Sequence, residues 1–108
     1  MTVQKWPQNR SIFWIHEQLL ATSKVEQQKD LLKLLIVEED RLPQDADTLT
    51  LLEHLISECR ERMMNQRERI AKEAQSGRDT TQSKLVLSGM LAALALHVER
   101  HARVSRGL

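Results

Sequence analysis

Between Asp47 and Gln75, apolar residues fall at Leu49, Leu52, Ile56, Cys59, Met63 and Ile70, the alternating spacing that keeps one stripe on one face of an α-helix. At about 1.5 Å per residue such a helix runs to roughly 40 Å, whereas a compact chain of this length has a radius of gyration of about 13 Å. A helix reaching from about residue 47 to 76 must either leave the globule or be shared, so its stripe reads as a seam that seeks a partner.

Composition fits a chain made of helices. The 108 residues, 41% of them apolar, suffice for one domain with a modest core that gains from association. Three glycines, two prolines and no tyrosine leave few strand or turn signals. Leu, Glu, Gln, Arg, Lys and Ala, all good helix formers, dominate. The fold class expected is all-α, four helices to a protomer, assembled as a homodimeric bundle.

Sixteen basic against fifteen acidic residues give a net charge of +1, so no global field draws the chain to nucleic acid or an anionic membrane, although the stretch His97 to Arg106 is locally basic. The single cysteine, Cys59, has no intrachain partner and points to a reducing compartment. The opening MTVQKWPQNR carries no apolar signal core, and the apolar run 85–96 is too short to span a bilayer. A soluble, cytoplasmic protein is expected.

Residues 1–10 read as a flexible arm, with Val3 and Trp6 its apolar members and Pro7 opposing an early helix; residues 11–108 form the helical domain. Ser11 is placed to cap a first helix in which Ile12, Ile15 and Leu19 share a face while Phe13, Trp14 and Leu20 widen it. Ser23-Lys24-Val25-Glu26 has the form of a capping box opening a second helix. Its run from Leu31 to Val37 calls for cover on more than one face. Glu38-Glu39-Asp40 then sit at the wrong end for the helix dipole, which means fraying or partners for the carboxylates. Leu42-Pro43 breaks the chain, with Asp47 or Thr48 as the next cap, and Gly77 suits a left-handed stop after the long helix. The last helix, starting after Asp79, is apolar almost all round, and Gly89 and Ala93 would let another backbone approach.

No catalytic, cofactor-binding or metal-binding residues are assigned. His97 and His101 share a helix face at a spacing that can hold zinc or copper, but read as a charged helix end favoured by the dipole. Cys59 lies on the apolar stripe rather than in a reactive setting. Arg60, Arg62, Arg67, Arg69 and Lys72 are nearly cancelled by interleaved glutamates, giving a solvated face and no direct nucleic-acid contact. Gln66 breaks the stripe, either to fix register or because the stripe turns to solvent there. Leu52, Ile56, Cys59, Met63, Leu87, Met90, Leu91 and Leu94 are the expected dimer seam, and Trp6, Phe13 and Trp14 the expected partner surface, since aromatics anchor interfaces.

The segment Leu42-Pro43-Gln44-Asp45-Ala46-Asp47-Thr48-Leu49-Thr50, leading into a long charged helix, resembles the TraM family of quorum-sensing anti-activators. In size, helical character and apolar last helix the chain is more similar still to the QslA family of the same functional type. The resemblance implies a cofactor-free homodimer that binds the ligand-binding domain of a LuxR-type transcriptional activator and blocks its dimerisation and DNA binding. A second likeness, over Glu58 to Ile70, is to the long helix of flagellar export chaperones, and implies a type III secretion chaperone or assembly adaptor.

Overall fold

A computed structural model describes residues 10 to 108, so the arm expected over residues 1–10, Trp6 included, lies outside the described residues except for Arg10. Four helices follow one another: α1 (Arg10–Ala21), α2 (Val25–Asp40), α3 (Ala46–Gln75) and α4 (Thr81–Gly107). No strand occurs among the described residues, and the all-α class with one long helix is as the periodicity predicts.

The two long helices form an antiparallel hairpin around Gly77, whose φ of 70° supplies the left-handed stop. The Arg78 N–H closes the end of α3 by donating to the Glu73 carbonyl at 2.9 Å. α1 lies across both hairpin helices, while α2 rests on α1 and α4 and leaves α3 alone. The result is elongated, 49 × 32 × 28 Å with a radius of gyration of 15.2 Å. Part of the long helix does leave the globule: from Arg67 to Gln75 its side chains are mostly exposed.

The core gathers Ile12, Ile15, Leu19 and Leu20 of α1, Leu31 and Leu35 of α2, Leu51, Leu52, Leu55, Cys59 and Met63 of α3, and Met90, Ala93 and Val104 of α4. Each fully buried leucine contributes about 1.5–3 kcal/mol relative to exposure. Four positions of the expected dimer seam are therefore corrected: Leu52, Cys59, Met63 and Met90 are spent inside the protomer, where α3 packs on its own chain's α1 and α4. Ile56, Leu87 and Leu94 are half-buried, and Leu91 is exposed. Gln66 is likewise turned inward, its Nε2 donating to the Ser83 carbonyl at 2.8 Å, so it pins α3 to α4.

Several local expectations change. α3 is capped by Asp45, not by Asp47 or Thr48: the Asp45 carboxylate accepts the Thr48 N–H at 2.9 Å, so the helix starts a turn after Pro43. The Ser23 capping box does not form. Lys24 occupies the cap position without a side-chain bond. The turn is held instead by Thr22 Oγ1, which accepts the Lys24 N–H at 3.2 Å, and by Gln28 Nε2, which donates to the Thr22 carbonyl at 3.1 Å. α2 is covered on one face only, leaving Leu34, Ile36 and Val37 exposed. The acidic end of α2 is fully partnered, by Arg41 for Glu38, His97 for Glu39 and Arg100 for Asp40.

Candidate functional site

Three polar side chains occupy core positions on three different helices. His16 lies one turn beyond Ile12 on the buried face of α1, Cys59 one turn beyond Leu55 on α3, and His97 one turn beyond Ala93 on α4. All three are at most 1% exposed. Helical register thus delivers them to one point in the interior, where one ring nitrogen from each histidine and the Cys59 Sγ lie within 4.8 Å of one another.

The hydrogen bonds around this point constrain which ring nitrogens carry protons. His97 Nδ1 donates to Glu39 Oε2 at 2.7 Å, because an ionised carboxylate only accepts. In a neutral ring this leaves His97 Nε2 as an acceptor, facing His16 Nδ1 at 3.1 Å. His16 Nδ1 must then carry the proton between the two rings. Its other nitrogen, Nε2, is left bare and buried without a hydrogen-bond partner among the described residues. The nearest charged atom is Glu58 Oε1, at 3.6 Å. With the His97 ring neutral, two acceptors therefore face each other in a setting where unsatisfied polar atoms are costly.

Electrostatics hold His16 and Cys59 uncharged. Burial, and next the neighbouring His97, lower the His16 pKa from 6.5 to about 4. Burial, and next the Glu58 carboxylate, push the Cys59 thiol from 9.0 up to about 12. Glu58 itself is raised by burial and by its neighbour Glu17. Arg62 spans the rim, its Nη2 donating to both Glu17 oxygens at 2.7 and 2.8 Å. A transition metal binds neutral imidazole and thiolate, so the His16 ring is in its ligating form while the Cys59 thiol would have to release its proton.

The sequence pairing of His97 with His101 is not what the fold uses. His97 turns into the core, correcting its reading as a charged helix end, while His101 lies half-buried with its Nε2 3.0 Å from Glu53 Oε2. From the sequence His16 is only one of the few further ligands open to a metal at His97 and His101, yet its register with Ile12 and Leu19 places it on the buried face of α1.

Outside, the apolar surface is divided. Trp14 is 58% exposed on α1, whereas Phe13 is half-buried against the core, with its ring edge-on to His54 at 6.3 Å. Leu87, Leu91, Leu94 and Val98 recur along α4 at the alternating spacing of a helix-pairing stripe. Val98 and Ile56 also line one side of a shallow groove of about 420 Å³ with Glu53, Ser57, Arg60 and His101. No helix among the described residues is long and apolar enough to cross a membrane. No family model, curated protein or solved structure matches the chain.

Proposed function

We propose that this chain is a non-enzymatic protein-binding inhibitor that pairs with a second copy of itself and captures a LuxR-type transcriptional activator by its ligand-binding domain, blocking the activator's dimerisation and hence its DNA binding. The observation that carries the reading is the apolar surface left outside the core: Leu91 and Val98 on α4, flanked by the half-buried Leu87 and Leu94, and Trp14 on α1. An activator that dimerises through apolar helices is open to competition from such a face, since an amphipathic helix lays its apolar side into a partner's groove. The α4 stripe, continued by Ile56, is assigned to self-association. Trp14 is assigned to the activator. The choice of target rests on the resemblance at Leu42 to Thr50.

Native mass spectrometry of the chain mixed with the ligand-binding domain of a signal-loaded LuxR-type receptor tests this directly. A discrete mixed complex replacing the receptor dimer is the expected result, abolished by Trp14→Glu with helical content unchanged. Two unmixed species would remove that receptor as the target and direct the search to an exported client, as for a secretion chaperone.

A further inference from the structure

Independently of any partner, we propose that His16, Cys59 and His97 form an internal site for one divalent transition metal ion of the zinc class, with Glu39 and Glu58 as the carboxylates that orient the two histidines. The donor set, two imidazoles and one thiolate, suits borderline and soft ions rather than magnesium or calcium. Tetrahedral zinc, with Zn–N near about 2.0 Å and Zn–S near about 2.3 Å, sets its donors roughly 3.3–3.7 Å apart. The rings already face each other at 3.1 Å, and the three donors lie within 4.8 Å, so the widest separation must shrink by about 1 Å to reach that geometry.

The orphaned nitrogen is the second observation. With a metal between the rings, His16 Nδ1 and His97 Nε2 both present lone pairs to it, and the proton of His16 moves to Nε2, where it faces Glu58. The atom without a partner in the metal-free arrangement thereby gains one. Glu39 on His97 Nδ1 is the carboxylate–histidine–metal arrangement that fixes the tautomer of a ligating ring. The proton from the Cys59 thiol leaves to solvent, and the thiolate together with the Glu39 carboxylate balances the charge of a dication, while Glu58 is paired with Arg62 at 3.4 Å. Those two anions exceed the charge of a monovalent ion such as Cu⁺, which favours the dication at a buried site. Three protein donors leave a fourth position for water or another small ligand.

Two arrangements need no metal. A doubly protonated His16 would donate to both His97 and Glu58, but burial, His97 and Arg62 oppose that charge while Glu17 favours it. A His97 carrying both protons would donate to Glu39 and to His16 Nδ1 and leave the His16 Nε2–H facing Glu58, and saturable binding of one Co²⁺ per chain separates the metal site from it.

The test is a titration of the full chain, reduced and freed of metal by chelator, with Co²⁺ and then Zn²⁺. Expected are one Co²⁺ per chain, intense visible ligand-field bands with a thiolate-to-cobalt charge-transfer band, loss of both on adding Zn²⁺, and a higher melting temperature. Cys59→Ser removes the charge-transfer band, and Glu39→Gln, which keeps all three donors, weakens binding about 10- to 100-fold. His101→Gln, outside the core, leaves the spectrum unchanged. Should Cys59→Ser fail to fold, the wild-type chain still decides the matter, because Cys59 is its single cysteine: Zn²⁺ must slow its alkylation under mild denaturant. Absence of saturable binding, a spectrum that depends on His101, or alkylation indifferent to Zn²⁺ would each overturn the site.

Discussion

A histidine held neutral inside a core is a proton debt that unfolding settles. In chelator-treated protein the folded chain keeps His16 unprotonated down to about pH 4, whereas the released ring takes up a proton near its ordinary value of 6.5. The sign follows: the unfolded state binds more protons below that value, so the contribution of His16 is complete above pH 6.5 and is lost as pH falls toward 4. The loss is on the order of 3 kcal/mol. Urea unfolding from pH 7 to pH 4 measures it as a falling midpoint, and His16→Gln flattens the fall; an equal slope in the variant would assign acid sensitivity to other groups. Residues of this kind were only half legible beforehand. Cys59 was visible as a member of a stripe, but its neighbours on the other two helices depend on the angles at which those helices cross, and periodicity within one helix contains no such information. Gly89 shows the same limit. A close approach was readable from its size. The groups that approach, the Leu19 carbonyl and the Gln28 side chain within about 3 Å of where a Cβ would stand, belong to the same chain rather than to a second helix of another copy.

At the scale of elements, α3 was legible almost to the residue, because thirty residues of one period outweigh any local ambiguity. Its start was not, because Asp45, Asp47 and Thr48 all have capping chemistry and only the path of the chain after Pro43 selects among them. Asp45→Ala removes the bond to the Thr48 N–H and is expected to cost about 1 kcal/mol, measured as a lower denaturation midpoint with unchanged m-value. An unchanged midpoint would mean that water replaces the carboxylate without loss. The second helix is the element where sequence reasoning went furthest astray. A run of apolar residues from Leu31 to Val37 called for cover on several sides, and the fold provides it only along Gln28, Leu31, Leu35 and Glu39. Apolar content alone does not fix how many neighbours a helix receives.

For the whole molecule, the elongated hairpin leaves α4 with two apolar faces: Met90, Ala93, His97 and Val104 inward, and a flank where Leu91 and Val98 are exposed beside the half-buried Leu87 and Leu94. If the outer stripe pairs two copies, Leu91→Glu should lower dimer affinity on the order of tenfold or more, by placing a charge where apolar area is buried. Sedimentation across a concentration series reads this out. Helicity and melting of the monomer should stay near wild type, since Leu91 is already 44% exposed, and an unaltered association constant would move self-association to another face.

The bond between His16 and His97 joins residues 81 apart in a chain of 108, the first helix to the last. During synthesis α1, α2 and α3 all emerge before the helix that completes the interior exists. Until then the inward faces of α1 and α3 have no α4 to close over them, and long-range closure of this kind is the slow part of folding. The topology places assembly of the centre after the synthesis of α4: none of the first three helices can complete it alone.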